Sequence, residues 1–131
     1  MHKVFFISFL ASLLTCITFS SYGDSSPVSL DIGYYKDTTK SLTLNEITLI
    51  GSNKFTQSGK GVINLGKAQS TIWLRVDITF KSAISSDYII ELDDALLDYV
   101  DFYSQQGVEW EVIETGFKRA FSDRYLDHRF F

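Results

Sequence analysis

Between Glu91 and Tyr103 the sequence reads Glu91-Leu92-Asp93-Asp94-Ala95-Leu96-Leu97-Asp98-Tyr99-Val100-Asp101-Phe102-Tyr103, five carboxylates within eleven residues, interleaved with large apolar groups. Two carboxylates can hydrolyse a glycosidic bond when one holds its proton opposite another that is ionised. Here that would mean Glu91 with Asp98 or Asp101. Carboxylates, rings and a guanidinium can also hold a sugar without chemistry. Rings stack on the apolar faces of sugars, while charged groups bond the hydroxyls. The plainest reading is that most of these carboxylates accept from turn amides between two strands.

Other chemistries find little to stand on. There is no P-loop, no dinucleotide-binding glycine pattern and no Gly-x-Ser-x-Gly elbow. Beyond residue 23, His128 is the only histidine, too little for a triad or a histidine-based metal site. Calcium on Asp93, Asp94, Asp98 and Asp101 suits hard oxygen ligands, but the spacing fits no EF-hand loop. No catalytic residue, metal or cofactor is assigned.

The elements that must carry these residues are mostly strands. Thr71–Phe80 alternates Ile72, Leu74, Val76, Ile78 and Phe80 with Trp73, Arg75, Asp77 and Thr79. A period of two sends the aliphatics to one face, and Trp73 and Arg75 to the other. There Trp73 and Arg75 could line a groove with Arg124 and His128. Alternatively, Trp73 packs beneath a loop or second apolar layer and Arg75 pairs with Asp93 or Asp101. Further strands are expected at 28–35, 62–65, 88–92, 96–103 and 108–114, with another opening at Arg129-Phe130-Phe131. Asp37–Lys40 reads as a turn, and Ser104–Gly107 as a hairpin turn. Thr43-Leu44-Asn45-Glu46 has capping-box spacing. It should start a short helix with Ile47, Leu49 and Ile50 on its apolar side, stopped by Gly51-Ser52-Asn53. Short strands with regular turn signals indicate an antiparallel β-sandwich of jelly-roll type. The last apolar run has no closing turn signal, so the final strands of the domain are expected beyond residue 131.

The chain opens with Met1-His2-Lys3, an apolar run to Phe19 and the small residues Ser20-Ser21-Tyr22-Gly23. This is the layout of a secretory signal peptide, with cleavage after Gly23. The run is short for a membrane span, which needs about 20 residues. Leu13-Leu14-Thr15-Cys16 faintly resembles a lipoprotein signal, although Thr15 is bulkier than that signal prefers. Cys16 is the only cysteine. Residues 24–131 then form one extracytoplasmic domain without a disulfide. Of the 12 Lys and Arg, 11 lie there with all 16 Asp and Glu, leaving a charge of −5. An acidic balance argues against nucleic acid as partner. Acids crowd Asp87–Phe117 and bases crowd Lys118–Arg129, an acidic surface beside a basic strip.

Several stretches, in order, resemble a known module. Asn64-Leu65-Gly66, Trp73-Leu74-Arg75, Glu91-Leu92-Asp93, Leu97 to Tyr103, Thr115-Gly116, Phe121-x-x-Arg124 and His128-Arg129 are similar to the type 2 extracellular domain of seven-transmembrane receptors with diverse intracellular signalling modules. The resemblance spans roughly Ser29 to Phe131. It implies a periplasmic jelly-roll sandwich, likened to carbohydrate-binding modules, that senses a ligand ahead of membrane helices and a cytoplasmic output domain. Two turns depart from the family pattern. Asp94-Ala95 lacks a proline after the Leu-Asp motif, and Arg124–His128 lacks its prolines.

The resulting expectation is a ligand-sensing domain for a carbohydrate or other small polar molecule. Its candidate binding residues are Trp73, Arg75, Glu91, Asp93, Asp98, Asp101, Tyr103, Arg124 and His128. The alternatives are a periplasmic protein-interaction module working by strand addition and, behind it, a glycan-active enzyme.

Overall fold

A computed structural model describes residues 2–11, 14–18, 28–58, 62–67, 69–81, 90, 92 and 97–120. The chain is mainly antiparallel β with one short α-helix, as the alternation predicts. Its strands are β1 His2–Ala11, β2 Leu14–Thr18, β3 Val28–Asp37, β4 Thr56–Gln57, β5 Val62–Lys67, β6 Thr71–Phe80, β7 Leu97–Gln106 and β8 Glu109–Thr115. Six of them form one sheet in the order β4-β3-β6-β1-β7-β8, and β2 pairs with β5 in a separate two-stranded sheet.

β6 organises the large sheet. Its Ile72, Leu74, Val76 and Ile78 are buried in one cluster with Ile7, Ile32, Leu92, Leu97 and Val100. Trp73 enters a second cluster on the opposite face, with Phe6, Ile47 and Phe55. Removing a fully buried aliphatic from water contributes about 1.5–3 kcal/mol, so the first cluster is the main store of stability.

β1 lies between β6 and β7 and is antiparallel to both, pairing Phe5 with Val76 and Ser104. The segment that reads as an export signal is therefore an inner strand of the large sheet. Both roles favour a near-continuous apolar run, because a central strand is buried on both faces. Phe6 faces one cluster while Ile7 faces the other.

β3 runs two residues past its expected end and closes on Asp37, which is buried. One carboxylate oxygen accepts from the Thr39 N–H at 2.9 Å, the Thr39 hydroxyl at 2.6 Å and the Lys40 N–H at 3.0 Å. The other accepts from the Leu42 N–H at 3.0 Å. Burial alone would raise the Asp37 pKa, but these four donors outweigh it and hold the carboxyl below its ordinary range. A lowered folded-state pKa adds stability above the unfolded value near 4, and that stability is lost as pH falls through the folded value. Asp37→Asn is expected to cost about 1–3 kcal/mol at pH 7. In urea unfolding followed from pH 7 to pH 2.5, roughly across that titration, the gap between the two proteins should close. A gap that stays constant would refute the assignment.

Thr43 caps α1, Leu44–Leu49, and the capping box closes in both directions. Thr43 N–H donates to Glu46 Oε2 at 2.7 Å, and Glu46 N–H reaches Thr43 Oγ1 at 3.4 Å. The helix buries Ile47 fully and packs Leu44 and Ile50 beside it, while Leu49 is exposed. Residues two apart on a helix stand about 200° from each other, so Leu49 cannot share the face of Ile47. A short 3₁₀ turn, Ser52–Lys54, follows the helix.

Other boundaries differ from the sequence reading. β5 runs through Gly66 to Lys67, and β7 continues through Ser104 to Gln106. The hairpin turn is therefore Gly107-Val108, with Gly107 at φ 66°. Ile90 and Leu92 belong to no strand, and the rest of the expected strand at 88–92 lies outside the described residues. So does the strand opening at 129–131.

Candidate functional site

The face of the sheet opposite the aliphatic cluster gathers the candidate residues. Register places Tyr35, Trp73, Ser8, Asp101 and Glu114 in one row across five strands. Arg75, Phe6, Tyr103 and Val112 form the next row. Four of the nine residues singled out from sequence, Trp73, Arg75, Asp101 and Tyr103, thus share one face. Their common parity on neighbouring antiparallel strands puts them there.

Rings make the floor. Trp73 stacks on Tyr103 with centroids 5.8 Å apart. Phe6 meets Trp110 edge-on at 5.8 Å and lies 6.3 Å from Phe55. Residues of α1 and the segment after it cover part of this floor through Leu44, Ile47, Ile50 and Phe55. Beside them Val4, Phe6, Thr48, Arg75, Gln105 and Trp110 line an open cavity of about 320 Å³. Trp73 is only 3% exposed, so it supports the floor from beneath. Of the lining residues, Thr48 and Gln105 are exposed, and Arg75 and Trp110 are half-buried. The expected partner of Arg75, Asp101, binds Arg119 instead, and Asp93 lies outside the described residues. The Arg75 guanidinium makes a two-point contact with Asp77, two residues along the same face, at 2.8 and 3.2 Å.

An ionic cluster lies at the β7–β8 end of the same sheet. After β8 the chain turns at Gly116, where Phe117 N–H donates to Leu97 O at 2.7 Å and Lys118 N–H to Asp98 O at 3.0 Å. This docking delivers Lys118 Nζ to Asp98 at 2.9 Å, and Arg119 to Asp101 at 2.6 Å and Glu114 at 2.7 Å. Arg119 also lies 5.8 Å from the centroid of the Tyr99 ring. Most carboxylates of the acidic segment were read as acceptors from turn amides; Asp98 and Asp101 bind side-chain cations, and Asp37 performs the turn-amide role. Half of the predicted basic strip thus folds back onto the acidic segment.

The protonation states fit scaffolding. Burial raises the Asp101 pKa, Arg119 opposes that rise, and Glu114 adds to it. Burial likewise raises Tyr103, reinforced by Asp101, while a hydrogen bond with Ser8 partly offsets it. The Lys118 ammonium is held above its ordinary value by its hydrogen bond to Asp98. Asp98 and Asp101 are thus each engaged by a different cation. Among the described residues, no three His, Cys, Asp or Glu side chains converge on a point that could hold a metal, and no helix is long and apolar enough to cross a membrane. Glu91, Asp93, Asp94, Arg124 and His128 lie outside the described residues.

Sequence reasoning did not single out Phe6, Gln105, Trp110 or Arg119 for this face. Trp110 could have been found from β8 alternation, because it shares parity with Val112 and Glu114. Phe6 was hidden because its segment was read as an export signal.

The described residues thus form a mainly β domain with a ring-floored, partly charged sheet face. The family model described as 7TMR-DISM extracellular 2 matches residues 30–131, and the chain belongs to that family. The family supplies extracellular domains to seven-transmembrane receptors with intracellular modules. Comparison with curated proteins and with solved structures finds no match.

Proposed function

We propose that residues 24–131 are the periplasmic ligand-sensing part of a bacterial membrane signalling receptor. In this reading residues 1–23 export the domain, and its ligand is a carbohydrate or another small polar molecule. Full-length relatives would couple it to membrane helices and a cytoplasmic output domain. The observation that carries the ligand reading is the cavity of about 320 Å³ in which Arg75, Gln105 and Thr48 border the rings of Phe6 and Trp110. Rings offer stacking surface to the apolar faces of a sugar, and the guanidinium and amide offer directed donors to its hydroxyls. Trp73 and Tyr103 act from behind, by holding the floor. Glu91, Asp93, Arg124 and His128 keep their proposed ligand role, whereas Asp98 and Asp101 hold Lys118 and Arg119. Jelly-roll closure by a second layer of strands belongs to the same proposal.

A thermal-shift screen over sugars, amino acids and dicarboxylates tests this reading. A ligand near 100 times its Kd adds about 2.7 kcal/mol, which moves the midpoint by several °C. Arg75→Met and Trp110→Ala should each abolish that rise. No response to any of the three ligand classes would sink the small-ligand reading. Strand addition is the second reading. It is favoured by the outer position of β8 in the described sheet, where Val112 is half exposed. Glu109, Glu111 and Glu114 along that strand oppose it, since charge on an edge discourages pairing.

A further inference from the structure

We propose that the cavity beside Arg75 selects a sugar acid, a single pyranose ring carrying a carboxylate, and that the open edge of the Arg75 guanidinium binds that carboxylate. The proposal rests on the reading of this cavity as the ligand site and names the group that the site recognises. Thr48, Arg75, Gln105 and Trp110, which carry it, all lie beyond residue 23.

A guanidinium presents its N–H donors in a rigid fork, and more than one of its edges can take a carboxylate at two points. Asp77 occupies one edge of Arg75, accepting from Nε at 2.8 Å and from Nη2 at 3.2 Å. Among the described residues, no other group engages this guanidinium. A second edge, Nη1 with the remaining N–H of Nη2, is therefore open, on a side chain that lines the cavity. The same face of the sheet holds an arginine with two carboxylates in place. Arg119 binds Asp101 through Nη2 at 2.6 Å and Glu114 through Nη1 at 2.7 Å. Among the described residues, Arg75 has the first carboxylate of such a bridge and not the second.

The rest of the lining decides what brings the second. The chain has 16 Asp and Glu, yet none is among the six residues that line the cavity. Glu109 and Glu111 flank Trp110 in β8, but alternation turns them to the other face. Glu114 is held by Arg119. Asp31, opposite Asp77 in register, stands on β3, across β6 from the strands that supply Val4, Phe6, Gln105 and Trp110. A hydroxyl that accepts from the fork still has its own proton to place, whereas a carboxylate has none. Side-chain acceptors in the lining are few. Thr48 Oγ1 gives its proton to Asn45 O at 2.9 Å, so toward the cavity it only accepts. The Gln105 carbonyl is the other acceptor, against donors on Arg75, Gln105 and Trp110. Such a lining suits one carboxylate and a few hydroxyls better than a ring of hydroxyls alone. Trp110 supplies ring surface for the apolar face of a pyranose. A volume of about 320 Å³ is at the low end of small-molecule sites, roughly 300–1,000 Å³, which suits a single ring.

The test is calorimetric titration of the full chain with D-glucuronate and D-galacturonate, against D-glucose, D-galactose and succinate. The acids should bind about 10–100-fold more tightly than their neutral counterparts, the range of a charge-assisted contact. Arg75→Lys keeps the charge but loses the fork, and should remove most of that preference. Gln105→Glu, at an exposed position that spares the fold, should weaken the acids more than the neutral sugars. Ligand-free thermal midpoints near wild type confirm that each variant is folded. Neutral sugars bound as tightly as the acids, or a response to succinate alone, would overturn the assignment and leave the small-ligand reading standing. A preference that survives both substitutions would overturn the role of Arg75. Silence toward all five compounds would overturn the assignment too, and the amino-acid arm of the thermal-shift screen then decides the wider reading.

Discussion

Trp73→Ala is expected to lower the unfolding free energy by about 3–5 kcal/mol, the usual cost of deleting a buried aromatic. Trp73 is 3% exposed, stacks on Tyr103 and shares a cluster with Phe6, Ile47 and Phe55. Its indole N–H has no acceptor among the described residues. Packing therefore carries the loss, and Trp73→Phe should recover most of it. Urea unfolding of the three proteins decides the point. If Trp73 served mainly as a ligand contact, the Ala variant would keep its stability and lose only binding. A loss below about 1 kcal/mol would contradict the packing role, given the cavity left by so large a side chain.

Gly116→Ala should cost nearly as much, about 2–4 kcal/mol, for a different reason. Gly116 has φ 129°, and an added Cβ would lie 2.5 Å from Asp98 O and 2.7 Å from Tyr99 Cα. Both are backbone atoms and cannot swing aside. The turn must lift off β7, breaking the Phe117 and Lys118 amide bonds and moving Lys118 and Arg119 from Asp98 and Asp101. Gly107→Ala is the control. Gly107 also has positive φ, 66°, but its Cβ would meet nothing within 4 Å, so only about 1–2 kcal/mol of backbone strain remains. Denaturant midpoints should rank wild type above Gly107→Ala above Gly116→Ala. Equal losses would show that the contact with β7 adds nothing.

Much of the scaffold was legible from periodicity. Thr71–Phe80 declared both its boundaries and its two faces, because strict alternation over ten residues has one strand solution. The capping box at Thr43 and Glu46 was equally direct, since it is a local contact. Non-local pairing was not legible. Arg75 was expected to pair with Asp93 or Asp101 but binds Asp77, and only register and the Gly116 turn decide that Asp101 receives Arg119. The floor residue Phe6 stayed hidden because an apolar run of that kind suits a membrane-targeting segment and a doubly buried strand equally well. The acidic segment misled by composition: its aspartates looked like turn acceptors, yet Asp98 and Asp101 sit within β7 and face cations from the chain beyond β8.

The position of β1 also bears on the order of folding. It is the first strand synthesised, yet its partners Tyr103 and Ser104 lie nearly a hundred residues later. Closing so long a loop carries an entropy cost before the contacts reward it, and sheets dominated by distant pairings fold slowly. β1 can pair with β6 only once residues 71–79 are made, and with β7 only once residues 97–104 are made, so the centre of this sheet is completed late in synthesis although its first strand is the first made.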